Sequence, residues 1–261
     1  MKACLKGKAP ALLDAYYSAN TQASWGEFKS ECQQGYKDVQ NQLQQDQGNL
    51  CCYCEINTKH GAGIGKDDFR VEHFHPKSDN NQSEYNYALA WENMLGCCHG
   101  GSEMYVTDRV TRYISNHLER HSDVLKGESK WADEILNPLK IPAFPILFKA
   151  NFRDGSIEVN EANCHEAGVD IAKANGCLRP DKLNLNSPQL KFRRKAILDA
   201  LNKQLEEQLV AGNRIDNVIN MLVESELKKN DKQHWPSFFT TIRSYFGNSA
   251  EEYLASINYI G

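Results

Sequence analysis

Most of the Cys and His residues of this 261-residue chain fall between Cys51 and Gly127, at spacings that suit metal ligation. Cys51 and Cys54 form a C-x-x-C pair, a spacing that lets two thiolates reach one zinc ion from a single tight turn. Cys52, between them, is expected to point elsewhere. A dithiol redox pair is the rival reading, but such pairs open a helix after a strand in a thioredoxin-like unit, and no such pattern flanks this one. A second group, Cys97-Cys98-His99, follows at structural-zinc distance and favours zinc. Between the two groups lies Glu72-His73. A Glu beside a His at a strand end can place a carboxylate on a divalent metal while the imidazole activates a water. Strand neighbours face opposite ways, and a twisted end lets both reach one cleft. An isolated Glu-His pair is an ordinary surface feature; its place between the cysteine groups is what gives this one chemical meaning. Asn93, five residues before Cys98, is a candidate to bond backbone and fix the loop that holds the general base His73, against the plain alternative of a turn Asn.

These residues need elements to position them. Phe69 to Phe74 alternates apolar and polar residues and predicts a short strand that Pro76 ends. Tyr87, Leu89, Trp91 and Leu95 alternate likewise, so Tyr85 to Leu95 reads as the second strand. The stretch His60–Lys66 is Gly-rich but lacks the G-K-[ST] ending of a phosphate-binding loop, and reads as a hairpin tip; Asp79 to Glu84 reads as a polar loop. Upstream, Pro10 begins a helix through Leu12, Leu13, Tyr16 and Tyr17, and Phe28, Cys32, Tyr36, Val39 and Leu43 mark a second helix after Trp25. Their aromatic stripe reads as core before it reads as a base-stacking surface. Downstream, Trp131 to Phe148 is Pro-rich and apolar, predicting an extended crossing. Phe148 to Val159, centred on Asp154-Gly155, reads as a hairpin and Ala167 to Asn175 as a short helix. Ser187-Pro188 opens a long helix through Leu190, Ile197, Leu201, Leu205 and Leu209, with further helices over 215–227 and 238–246. The cluster Lys191, Arg193, Arg194 and Lys195 suits nucleic-acid contact or a solvated or partner-facing surface equally.

Composition bounds the rest. Hydrophobic residues at 41% and charged residues at 25% are ordinary globular values. No apolar run approaches the roughly 18 residues of a membrane span, and the start lacks a signal-peptide core, so a cytoplasmic protein with no membrane partner is expected. Nine cysteines in a chain of this size point to metal binding in a reducing compartment before disulfides. A net charge of -4 excludes binding nucleic acid by bulk electrostatics alone, so a local basic patch or a partner must deliver such a substrate.

Taken together, Gln47-Gly48-Asn49-Leu50-Cys51-Cys52-Tyr53-Cys54-Glu55, Glu72-His73-Phe74-His75-Pro76-Lys77-Ser78, Trp91-Glu92-Asn93-Met94-Leu95, Ile135-Leu136-Asn137-Pro138 and Leu183-Asn184-Leu185-Asn186 resemble the HNH (His-Me finger) endonucleases. The likeness is nearest to the PtuB-type HNH subunit of Septu and retron antiphage systems. It implies an α+β protein: a helical segment over 1–50, a zinc-stapled HNH core with a small ββα-metal nucleus over 51–127, and a mainly helical, possible partner-binding region over 128–261. It implies a DNA endonuclease of antiphage defence with His73 and Asn93 as catalytic residues, Glu72 and Asp123 holding Mg²⁺ or Mn²⁺, and Lys77 and Lys126 meeting phosphate. Asp123 is then expected at the start of a helix.

The closing stretch departs from the family pattern. Where the family offers a cysteine just before its Asp or Asn, this chain has Ser122 preceded by His121. Serine is a poor zinc ligand at neutral pH and imidazole a good one, so the structural zinc set becomes Cys51, Cys54, Cys98 and His121. Cys97 competes for the third place, and His99, His117 or a zinc-free knuckle are alternatives to the set. The resemblance also implies an ABC-type, PtuA-like ATPase partner and a retron reverse transcriptase with its RNA-DNA product. Two other classes compete with the nuclease: a zinc-stabilised adaptor with an idle site that binds the ATPase, and a dithiol redox protein.

Overall fold

The computed structural model of the protein describes residues 1–58, 65–79 and 85–261. The Gly-rich hairpin tip, apart from Gly65 and Lys66, and the polar loop after Asp79 lie outside the described residues. Three helices, α1 (Ala11–Ala19), α2 (Trp25–Glu31) and α3 (Gln33–Asp46), precede the first cysteine pair. Ser24 caps α2 in a reciprocal box with Glu27, satisfying free N–H groups at the helix start. The stripe read as one helix after Trp25 is broken at Cys32, whose backbone leaves the helical region (φ -124°, ψ 62°). The apolar face runs on through the break, which is why periodicity does not register it.

Strands β1 (Arg70–His73) and β2 (Met94–Cys97) pair antiparallel, Arg70 opposite Cys97 and His73 opposite Met94. The second strand begins later than the alternation predicts. Residues Trp91–Asn93 form a 3₁₀ turn, and Asn86 side-chain bonds to the carbonyls of Thr21 and Ala23 bind the preceding segment to the first helices. Period-two alternation then gives the ladder two faces with different neighbours. Met94 and the partly buried Val71 join the core of α1–α3 with Phe28, Val39 and Leu43, whereas Leu95 and Cys97 join a second core with Cys51, Cys54, Trp131 and Phe148. Gly96 must be a glycine: a Cβ there would lie 2.7 Å from the Phe69 ring.

After β2 the chain makes only the short helix α4 (Arg109–Arg112) and the 3₁₀ turns His117–Glu119 and Ser122–Leu125 before the Pro-rich crossing. Asp123 therefore sits in a 3₁₀ turn and not at the start of an α-helix. The crossing carries one 3₁₀ turn, Pro138–Lys140, capped by Asn137. The second hairpin pairs β3 (Phe148–Ala150) with β4 (Ile157–Val159), followed by α5 (Glu161–Glu166) and α6 (Ile171–Leu178). Helix α6 starts four residues later than its apolar pattern suggests, because the Asp170 carboxylate accepts from the N–H groups of Ala172 and Lys173 and fixes the N-terminus there. Helices α7 (Pro188–Val210), α8 (Ile215–Leu227), α9 (Phe239–Phe246) and α10 (Asn248–Ser256) enclose a third core around Trp235, Phe239 and Leu254. Among the described residues the architecture is α+β, with helices and two small antiparallel sheets. Among the described residues no helix is long and apolar enough to cross a membrane.

One buried side chain joins the helices to the site. Gln47, just past α3, donates to the carbonyls of Leu50 (2.8 Å) and Gly96 (2.7 Å) and accepts from Gly96 N–H (2.7 Å). Replacing Gln47 by Leu leaves the Gly96 N–H and the Leu50 carbonyl without that partner, while the Gly96 carbonyl keeps the Cys52 N–H at 3.0 Å, and a buried group left unpaired costs about 1–3 kcal/mol. The expected result is a lower urea midpoint at unchanged slope, a loss of roughly 2–4 kcal/mol; a midpoint equal to that of the parent protein would show that Gln47 is not a structural tie.

Candidate active site and thiol-rich metal site

Five cysteine thiols meet between the knuckle at 51–54 and the end of β2, all buried. The Sγ atoms of Cys51, Cys54 and Cys98 lie within 4.8 Å of one another, and so do those of Cys51, Cys52 and Cys97. Cys54 and Cys98 are 3.5 Å apart and Cys51 and Cys97 3.7 Å. Thiolates at about 2.3 Å from a tetrahedral zinc stand about 3.8 Å apart, so a ligand set of this chemistry and spacing fits zinc. Cys98 rather than Cys97 completes the group with Cys51 and Cys54, and Gly100 N–H donates to Cys98 Sγ at 3.4 Å, as amides do to metal-bound thiolates. Cys52 does not point elsewhere; it faces Cys51 and Cys97. Burial pushes the thiols of Cys52, Cys54, Cys97 and Cys98 up, while at Cys51 hydrogen bonds from the four neighbouring thiols outweigh burial and bring it well below the thiol range.

His121 is buried but belongs to neither thiol group; its Nδ1 lies 3.1 Å from Ser122 Oγ, and burial lowers its pKa to about 4. His99, whose backbone N–H donates to Asp68, and the exposed His117 are outside both groups as well.

On the same face of the ladder, beside the thiols, a cleft of about 320 Å³ is lined by Arg70, Glu72, His73, Lys77, Asp123 and Lys126 among others. Arg70 and Glu72, two apart on β1, project to one side, where Arg70 Nη2 pairs with Asp123 Oδ1 at 2.6 Å. Cys97 Sγ also donates to that oxygen, at 3.0 Å. Lys126 reaches both Glu72 Oε1 and the carbonyl of His73, and Tyr53 donates to Glu72 Oε1 at 3.5 Å. Burial first, then the neighbouring Asp123, raises the Glu72 carboxyl well above its ordinary range. Asp123 is lowered because the Arg70 guanidinium and its hydrogen bonds outweigh its burial. Each carboxylate has a basic side chain beside it, and hard oxygens in a cleft open to water suit a divalent ion such as Mg²⁺.

His73 reaches the cleft from the other face of β1. Its ring packs edge-on against Trp25 (4.9 Å), and Nε2 lies 3.0 Å from the carbonyl of Ala88. A carbonyl can only accept, so Nε2 carries the hydrogen and Nδ1 the lone pair. Burial lowers its pKa to about 3, leaving the imidazole neutral. Asn93 spans the turn after His73: its Oδ1 accepts from His75 N–H (2.7 Å) and its Nδ2 donates to the carbonyls of His75 (2.9 Å) and Tyr87 (2.8 Å). Lys77 is exposed on the rim, whereas Lys126 is buried against Glu72 and is not a free surface cation.

Over 93% of its length the chain is 27% identical to a protein described as "Retron Ec83 putative HNH endonuclease" from Escherichia coli, covering 92% of that relative. This similarity supports an HNH endonuclease of retron type. No protein-family profile matches the chain.

Arg70 of the cleft escaped the sequence reading, and Ser122, read there as a poor zinc ligand, stands against the thiols. Arg70 carries a signal that was available, since a residue two before Glu72 on a strand must share its face. Ser122 stands where the family pattern has cysteine, and only its position against the thiols gives it meaning. The basic run on α7 is largely paired within the protein: Arg193 donates to the carbonyl of Thr111, Lys191 and Lys195 pair with Asp154 and Asp199, and buried Arg194 lies over the Phe238 ring.

The Lys126–Glu72 pair is buried, so deleting only its cation leaves buried acceptors without their donor and should cost about 1–3 kcal/mol. Lys126→Met is therefore destabilised in urea, and adding Glu72→Gln recovers part of the loss. Additive losses in that double-mutant cycle would show that the two groups do not act as a pair.

Proposed function

We propose that the protein is a metal-dependent HNH endonuclease that hydrolyses DNA phosphodiester bonds as the effector of a bacterial retron defence system. The convergence of Glu72, His73 and Asp123 on one cleft with basic groups beside them carries this reading, and the full-length retron relative supports it. His73 Nδ1 accepts the proton of the attacking water. Asn93 holds the turn that follows His73 and so fixes the ring's approach. Glu72 and Asp123 hold the divalent cation, which when bound supplies charge stabilisation at the phosphate and leaving oxygen. Arg70, anchored by Asp123, and Lys77 on the rim offer donors to phosphate oxygens, with Lys126 holding Glu72 in place. Cys51, Cys54 and Cys98 hold a structural zinc that fixes the knuckle against β2. The core over 51–127 carries the chemistry, and the helical region over 128–261 is the proposed face for an ABC-type ATPase partner, with a retron reverse transcriptase and its RNA-DNA product as further partners.

Purified protein should cut DNA, lose the activity on mild EDTA treatment and regain it with Mg²⁺ or Mn²⁺ while keeping its zinc. His73→Ala should lower the cutting rate at least 100-fold with zinc content and circular dichroism unchanged; a variant that still cuts at the parent rate removes His73 from the mechanism. Cys51→Ser should instead yield insoluble or unfolded protein, because zinc binding and folding are one event at such a knuckle.

A further inference from the structure

Three thiolates leave a tetrahedral zinc one corner short, and Ser122 is a side chain whose oxygen lies against two of the three sulfurs. Its Oγ lies 3.7 Å from Cys51 Sγ and 3.5 Å from Cys98 Sγ. A zinc ion with sulfur at about 2.3 Å and oxygen at about 2.0 Å has sulfur–oxygen edges of about 3.5 Å, so these are the separations an oxygen corner requires. Cys97 is excluded from that corner because it does not lie within 4.8 Å of both Cys54 and Cys98 Sγ. His121 Nδ1 stands behind the hydroxyl, 3.1 Å from Oγ and outside the thiol group.

The backbone is arranged to deliver this hydroxyl. Ser122 adopts φ 60°, a left-handed conformation that serine rarely takes, and its N–H is tied to the carbonyl of Leu183 at 2.8 Å. His121 N–H donates to Gly100 O at 3.1 Å. The approach is close enough that a Cβ on Gly100 would lie 2.1 Å from His121 O. A non-glycine residue at positive φ, fully buried and with its own and its neighbour's N–H tied to backbone carbonyls, is a position specified by its surroundings.

We propose that Ser122 Oγ is the fourth ligand of the Cys51–Cys54–Cys98 zinc site, with its hydroxyl hydrogen donated to His121 Nδ1, so that His121 supports the metal through Ser122 and does not bind it. This rests on the reading that the three thiolates hold zinc. Serine is a poor ligand on its own; here one lone pair of Oγ faces the ion and the hydrogen has a buried acceptor. Second-sphere acceptors of this kind raise the donor strength of the ligand they engage. The consequence is a three-sulfur, one-oxygen site, softer on three corners and weaker at the fourth than an all-cysteine knuckle.

X-ray absorption on the zinc-loaded full chain tests this without a variant. The expected first shell is three sulfurs at about 2.3 Å and one oxygen at about 2.0 Å, with no outer-shell imidazole scattering. Ser122→Cys should convert the shell to four sulfurs and tighten zinc at least 10-fold against a competing chelator, and His121→Gln should keep the three-sulfur, one-oxygen shell. An imidazole pattern in the parent protein would overturn the proposal, as would a Ser122→Cys protein whose shell stays at three sulfurs and one oxygen, since water would then be the fourth ligand. Zinc without sulfur neighbours would instead overturn the underlying three-thiolate reading and this proposal with it.

Discussion

The buried thiol cluster is the constraint on which the rest of the site depends. Cys51 and Cys54 come from the knuckle, Cys97 and Cys98 from the end of β2, and Ser122 from a 3₁₀ turn more than twenty residues further on. Bringing these residues together in one buried cluster fixes where Asp123, the next residue, must lie. Because Cys97 is opposite Arg70 on the ladder, the same constraint places Arg70 beside Asp123 and Glu72 on the same face. The thiol cluster and the carboxylate cleft thus share a strand and differ in donors, sulfur in one and oxygen in the other.

The knuckle is in turn tied to the remote helices. Glu55, immediately after Cys54, accepts from the backbone N–H of Thr240 at 2.8 Å, where the N-terminal end of α9 favours a negative charge. Its carbonyl accepts from Phe238 N–H, and Gln47 grips Gly96 from the other side. A small ladder of four residues per strand has too little surface to be stable alone. Here it is clamped between the α1–α3 core on one face and the core of the crossing and second hairpin on the other.

Charge in the cleft is balanced before any ligand enters. Glu72 and Asp123 each have a basic partner, Lys126 and Arg70, and removal from water makes each pairing consequential. The internal pairing of the α7 basic run leaves no broad cationic face on that helix.

Sequence alone determined the chemistry that was local in the chain. Residue types and short spacings identified the C-x-x-C knuckle, the Glu-His pair on a strand, Asn93, the long helix after Ser187-Pro188 and the second hairpin, because each depends on backbone geometry over a few residues. It misplaced the start of β2, the break at Cys32 and the start of α6, where single capping or tertiary contacts override periodicity. Only the tertiary structure decided which of Cys97 and Cys98 joins Cys51 and Cys54, that Cys52 faces the cluster, that Lys126 is buried against Glu72, and that Ser122 stands between His121 and the thiols. Those are distances between residues far apart in the chain, and no local pattern encodes a distance that only the packing of three cores sets.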